Sequence, residues 1–209
     1  AALPAARALV AAYPAILAEL VQSQQMRTNA FETYRSRVVK AGEWSDIQLF
    51  AGCRRDIAHC DAFPQTAAAI AARDEFNSVI FGSHFFSRLS PGTHLAAHCG
   101  PSNFRLRCHL GLIVPPGVTI RVANEVREWR AGECLVFDDS FEHEVWHEGG
   151  SDRVVLICDM WHPQLDVGLH VLPLLTPEQS AGLDAARRGA HLALASRTYS
   201  TGETIVRTP

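Results

Sequence analysis

The stretch FRLRCHLGLIV (residues 104–114) alternates so regularly that a strand would sort its side chains into two unlike faces. Arg105, Arg107, His109 and Gly111 would share one side, and Leu106, Cys108, Leu110 and Leu112 the other. An exposed sheet turns such a cationic face to water, whereas a small barrel turns it toward a cavity that takes an anionic small molecule. The stretch alone leaves both readings open. Further short β-type runs surround it: SVIFGSHFFSRL (78–89), VTIRVA (118–123), ECLVFD (133–138), HEVWHE (143–148) and RVVLICDMW (153–161). Turn residues cut them apart at Pro91-Gly92, Gly100-Pro101, Pro115-Pro116-Gly117, Ala131-Gly132 and Gly149-Gly150-Ser151. Short strands in this number predict a jelly roll or barrel.

One domain is the expectation for 209 residues that are 47% apolar and 20% charged. Residues 1–77 read as a helical and irregular flank, 78–165 as the β core and 166–209 as a C-terminal helix and tail. In the tail, Thr176 suits a helix cap, Pro177 the first helical position and Gln179 a return contact. A net charge of −3 with scattered cations argues against a nucleic-acid partner. The alanine-rich start is interrupted by Pro4, Arg7 and Pro14, so no membrane segment is expected and the chain reads as soluble and cytoplasmic. It opens on Ala1, which leaves an upstream anchor or targeting segment open. Six cysteines without a CxxC pair read as reduced thiols, with Cys53 and Cys60 the pair that an oxidising compartment would bridge.

The second informative stretch is FDDSFEHEVWHEGGSDRVVLICDMWHP (137–163). It places His143 at the start of one strand and Arg153 at the start of the next, across a Gly-Gly turn, and a hairpin is expected to bring the two together. Imidazole nitrogen suits iron(II) with open positions, and a planar guanidinium matches the distal carboxylate of 2-oxoglutarate.

The strings PGTHLAAHCGPSNFRLRCHLGLIVP (91–115), IRVANEVREWRAGECLVFDDSFEHEVWHEGG (120–150) and DRVVLICDMWHP (152–163) resemble the catalytic domain of the aspartyl/asparaginyl β-hydroxylases, nearly without gaps from Phe86 to Leu165. The resemblance implies a mainly β fold with flanking helices around a double-stranded β-helix, a cupin-like jelly roll. It implies an Fe(II)- and 2-oxoglutarate-dependent dioxygenase that uses O2 to hydroxylate an unactivated C–H, with release of succinate and CO2. The C–H would be the β-carbon of an Asp or Asn residue, or lie in a small carboxylate-bearing substrate. Carried over by position, His98 and His143 would hold the iron, and Arg153 and Ser87 the distal carboxylate of 2-oxoglutarate. His109 and Arg107 would meet its other end or the substrate, with Arg107 counted as catalytic, and Arg105 would contact an anionic peptide or small-molecule substrate.

Gly100 stands where the wider superfamily has a metal-binding carboxylate, so the resemblance implies two protein ligands and water in place of a third. Cys99, a soft donor beside His98, is expected to point away on an extended segment. A helical zinc pair of His94 and His98 is disfavoured, because HLAAH follows Pro-Gly-Thr and lacks the Glu of HExxH. Asp138, Asp139 and Glu142 are read either as orienting a ligand imidazole or as capping a turn. GEWSDIQLFAGCRR (42–55) loosely resembles the family's substrate-proximal segment, which draws attention to Trp44, Arg54 and Arg55. Two other functions remain: hydroxylation of a lipid acyl chain, and a non-catalytic module that binds 2-oxoglutarate or metal.

Overall fold

The computed structural model describes residues 3–26, 31–34, 36–165 and 206–208. The helix expected from Thr176 lies outside the described residues. Helices α1 (Pro4–Met26), α2 (Ile57–Ala62), α3 (Pro64–Ala71) and α4 (Asp74–Asn77) flank the strands. The flank also contains β1 (Glu32–Thr33), β2 (Val39–Ala41), β3 (Trp44–Ala51) and β4 (Arg54–Arg55). Then follow β5 (Ser83–Leu89), β6 (His94–His98), β7 (Arg105–Ile113), β8 (Val118–Val122), β9 (Glu125–Glu128), β10 (Cys134–Phe137), β11 (His143–His147) and β12 (Arg153–Trp161). A last short strand, β13 (Val206–Thr208), pairs with β10.

Two sheets face each other. The larger runs β1-β3-β5-β12-β7-β10-β13, with β4 beside β3, and the smaller runs β2-β6-β11-β8-β9. The chain crosses between the sheets as it passes β5, β6, β7, β8, then β9, β10, β11 and β12, so each contributes four strands to a double-stranded β-helix. The strand β3 lies in the stretch expected to be irregular. Its alternation buries Ser45, Ile47 and Leu49 while Trp44, Asp46 and Gln48 stay half exposed, and it extends the larger sheet beyond β5.

Each face of the larger sheet has its own core. Leu106, Cys108, Leu110 and Leu112 of β7 join Val154, Leu156 and Cys158 of β12 under α1 and α3. Phe85, Leu89, Val155 and Ile157 face Leu95, Ile120, Val122 and Val145 of the smaller sheet. Burial of these side chains, at roughly 25 cal/mol per Å² of apolar surface, is the main force holding the barrel closed.

Against expectation, residues 4–23 of α1 form a helix long and apolar enough to cross a membrane, because the turn continues through Pro14. Its buried side, Ala5, Ala6, Leu9, Ile16 and Leu20, packs on the larger sheet. Glu19, on the same side, accepts from Gln65 N, Thr66 N and Thr66 Oγ1 at 2.7–2.9 Å and so caps α3, whose own N-terminus lacks a side-chain cap. Cys53 and Cys60 do not pair, and the Cys60 thiol donates to Leu49 O.

Candidate functional site

A cavity of about 300 Å³ opens at one end of the barrel, lined by His98, His143, Arg105, Arg107, Asp139 and Trp44 among others. His98 and His143 face each other across paired strands, and their ring centroids are 4.1 Å apart. Simple alternation would put His98 on the face of His94, which points outward to Glu144 and stacks on Trp146. Between the partners Leu95↔Val145 and His98↔His143, however, β6 spends three steps where β11 spends two. That bulge turns His98 inward, the use to which a β-bulge beside a functional site is often put.

Both imidazoles are fixed by the backbone. His98 Nδ1 lies 2.7 Å from Ala96 O and His143 Nδ1 lies 3.0 Å from Phe141 O. A carbonyl can only accept, so Nδ1 carries the hydrogen in each ring and the lone pair sits on Nε2. Burial pushes the His143 imidazole well below its usual pKa, and the neighbouring His98 adds to the effect. The His143 ring can therefore serve as a neutral nitrogen donor at neutral pH. Among the described residues no group of three His, Cys, Asp or Glu side chains could hold a metal.

Gly100 follows at close quarters. Its N–H donates to Asp139 O at 2.5 Å, and a Cβ built on it would fall 2.4 Å from the Asp139 carboxyl carbon. A side chain at position 100 therefore has no room, because Asp139 fills the space it would enter.

Beside the histidines lie two arginines and two carboxylates. Asp159, with no exposed surface, accepts from Arg105 Nη1 at 2.7 Å, Arg107 Nε at 2.8 Å, Arg107 Nη2 at 3.1 Å and Ser83 N at 2.9 Å. Asp139 Oδ2 accepts from Arg105 Nη2 at 3.1 Å and sits 3.5 Å from Arg107 Nη1. Arg105 Nη1 also donates to Phe81 O. The two carboxylates hold the Arg107 guanidinium protonated, well above its ordinary range despite burial. Arg105, expected at the substrate, is only 5% exposed and spends its terminal donors within the protein.

Deeper in the barrel the pattern changes. Along β12 the register runs from Arg153 beside Leu89, through Val155 beside Ser87 and Ile157 beside His109, to Asp159 beside Arg107 and Trp161 beside Arg105. Arg153, His109 and Ser87 therefore lie inside the barrel, outside the lining of the open cavity. Arg153 Nε and Nη1 are buried without a hydrogen-bond partner, and burial pulls its pKa down to about 9. Its guanidinium lies over the Trp129 ring, 4.8 Å from the centroid. Trp129 Nε1 donates to His109 Nδ1 at 3.2 Å, so His109 Nε2 carries the other ring hydrogen, and that atom too is buried and unpartnered. Phe137 packs against both His109 and His143, with centroids 5.1 and 5.5 Å away, and bridges the two depths. Ser87 Oγ accepts from Trp44 Nε1 at 3.0 Å.

Several expectations need correction. The strands β11 and β12 do not pair: β11 lies in the smaller sheet and β12 in the larger, so the Gly149–Gly150 turn crosses between sheets and makes no hairpin. Arg153 and His143 come into one barrel because both sheets close around its interior. Cys99 is among the residues that line the same cavity as His98. Of the three acids weighed near His143, Asp138 caps a turn through Ser140 N, Glu142 pairs with Arg121 and Asp139 with the arginines. Arg54 and Arg55 sit on exposed β4, away from the cavity. Sequence reading missed Trp129 and Asp159. The alternation of RVVLICDMW does put Asp159 on the face of Arg153, and that was the available signal.

The fold and site define the chain first as a cupin-like double-stranded β-helix with a His- and Arg-lined interior. The family model described as aspartyl/asparaginyl beta-hydroxylase matches residues 10–163, and the chain belongs to that family. It is 42% identical over 145 residues to mouse aspartyl/asparaginyl beta-hydroxylase, covering 69% of this chain and 18% of that protein. It is 39% identical over 129 residues to mouse aspartate beta-hydroxylase domain-containing protein 2, covering 60% of this chain and 38% of the relative. The chain thus spans less than a fifth of the first of these and under two fifths of the second. A cupin-2 domain from Rhodospirillum rubrum aligns over 79% of this chain and 89% of its own, at 13% identity and a TM-score of 0.40.

Proposed function

We propose that this chain is an Fe(II)- and 2-oxoglutarate-dependent dioxygenase that hydroxylates a C–H of a substrate bearing an anionic group. The β-carbon of an Asp or Asn residue, or a carbon of a small carboxylate, is the target that the family membership favours. The observation that carries the reading is a mismatch of charge inside the barrel. Arg153 and His109 present buried N–H donors with nothing to accept them, on the same interior as the facing imidazoles of His98 and His143. An unpaired buried donor costs about 1–3 kcal/mol, and more when charged, so the arrangement makes sense when an anion completes it.

His98 and His143 would hold iron through Nε2, their rings locked by Ala96 O and Phe141 O. Arg153 with Ser87 would take the distal carboxylate of 2-oxoglutarate, and His109 and Arg107 its other end or the substrate. Iron held by these residues would let O2 be used with the keto acid, one oxygen atom passing to the substrate C–H and the other into succinate as CO2 is lost. Phe137 and Trp129 would keep water from the deeper part of the barrel, and Arg107 would face the anionic substrate in the cleft while Arg105 holds the carboxylates beside it.

The test is direct. Protein loaded anaerobically with Fe(II) and 2-oxoglutarate should develop a metal-to-ligand charge-transfer band and release succinate on exposure to O2. Absence of both would end the oxygenase reading.

A further inference from the structure

Trp129, only 4% exposed, meets two of the buried donors of the barrel with different parts of one side chain. Its edge reaches His109: the indole N–H donates to Nδ1 at 3.2 Å, and the two rings lie 7° from parallel with centroids 5.9 Å apart, which suits edge-to-edge contact. Its face reaches Arg153, whose guanidinium carbon stands 4.8 Å from the ring centroid. The two contacts have different consequences. An indole nitrogen can only donate, so His109 Nδ1 is the acceptor and the ring hydrogen sits on Nε2, which is buried and has no partner. Burial keeps this ring neutral, since it pulls the His109 pKa well below the ordinary range. A π face, by contrast, attracts a cation without accepting its in-plane N–H groups and without cancelling its charge. Arg153 Nε and Nη1 are accordingly buried and unspent, whereas Asp159 takes up Nε and Nη2 of Arg107.

Space-filling alone is a poor explanation for such a residue. A buried indole N–H usually finds an acceptor, and a backbone carbonyl would satisfy it. Here the acceptor is an imidazole, whose other nitrogen is thereby made a donor. We propose that Trp129 is a positioning residue that sets two anchors of a dicarboxylate at once: its edge makes His109 Nε2 a donor for one end, and its face holds the Arg153 guanidinium, charged and unspent, for the other. This rests on the reading that His109 and Arg153 meet 2-oxoglutarate, and it assigns the hydrogen-bonding state of both to one side chain that acts through them.

Two substitutions in the full chain separate the edge from the face. Trp129→Phe keeps a ring beneath Arg153 and deletes the N–H, and Trp129→Leu deletes both. In ligand-free protein labelled with 15N-histidine, the wild-type His109 ring should show one tautomer, with the hydrogen on Nε2 and Nδ1 hydrogen-bonded. In Trp129→Phe the Nδ1 signal should move to that of a bare nitrogen or split between two tautomers. Calorimetric titration of 2-oxoglutarate into protein loaded with Zn(II), which does not turn over, should show affinity lowered about tenfold in Trp129→Phe and about a hundredfold in Trp129→Leu. An unchanged His109 spectrum in a folded Trp129→Phe, or wild-type affinity for 2-oxoglutarate in both variants, would overturn the proposal. If Trp129→Phe does not fold, benzothienylalanine at position 129, which replaces the N–H by sulfur within the same outline, carries the same measurements. Wild-type protein that binds no 2-oxoglutarate would sink the underlying reading and the dicarboxylate role with it, whereas normal binding by wild type and both variants would sink the role of Trp129 alone.

Discussion

At the mouth of the barrel Arg105 and Arg107 share two buried carboxylates, whereas at the other end of β12 Arg153 has neither a carboxylate nor, at Nε and Nη1, any hydrogen-bond partner. Both groups sit on the inward face of the same sheet, so the difference lies in what the fold puts opposite them. The four charges at the mouth cancel within the protein and hold their own geometry. The deep site is left cationic, faced by aromatic carbon from Trp129 and by a second bare donor on His109. The contrast separates a part whose charges are matched within the protein, though Arg105 Nε and Asp139 Oδ1 stay unpartnered, from one whose buried cation has no carboxylate beside it.

The largest expected effect comes from that buried cation. Arg153→Met should remove binding of 2-oxoglutarate by about 10²–10³-fold, the range for losing a buried partner of a charged group. The same variant should raise the melting temperature of the ligand-free protein, because it deletes a buried, unpaired charge. Calorimetric titration and thermal unfolding read the two arms. A variant that binds normally, or that is less stable without ligand, breaks the comparison.

Next in size is His143→Ala, expected to abolish iron-dependent turnover while circular dichroism and the thermal midpoint stay close to wild type. A fully active variant would show that the facing imidazoles are not the ligands. Gly100→Asp probes the same corner from the other side. It offers the carboxylate that this chain lacks, but the Cβ alone would lie 2.4 Å from Asp139. The expected result is loss of about 1–3 kcal/mol of stability with no gain in activity; increased turnover would show that Asp139 yields.

These predictions lean on features of unequal legibility. The alternation of residues 104–114 sorted β7 into a cationic and an apolar face without saying which points inward, and the regular turn signals pointed to a jelly roll or barrel. The bulge in β6 left no mark in HLAAH, because bulging is decided by pairing with β11 and not by the strand's own pattern. For the same reason β11 and β12 were read as a hairpin. A Gly-Gly turn is equally suited to a link between sheets, and only the packing of the whole barrel distinguishes the two. The placing of Trp129 was beyond reach as well. It depends on Gly111, whose missing Cβ lets Arg130 O approach to 2.2 Å of where that atom would be, so that the loop after β9 folds against the interior.

The smallest effect concerns acidity, and it bears on the helical side of the larger sheet rather than on either arginine group. His84 is 2% exposed, its Nε2–H donates to Phe76 O, and burial pulls its pKa down to about 4. The folded chain therefore holds fewer protons on this ring than the unfolded chain does between about pH 6.5 and 4. Stability should fall as pH drops through that window, and it should be flat with respect to this group above it. Thermal midpoints at pH 7.5, 6.5, 5.5 and 4.5 would record the decline. In His84→Gln, which offers an amide donor to Phe76 O but cannot take a proton, the decline should be shallower by about the protonation of one site. An identical slope in both proteins would mean that acid sensitivity resides in the barrel interior, at His109 and His143, which burial also holds far below their usual range. The ligand-free site would then be the acid-labile part of the molecule, and 2-oxoglutarate should protect against acid in proportion to its occupancy.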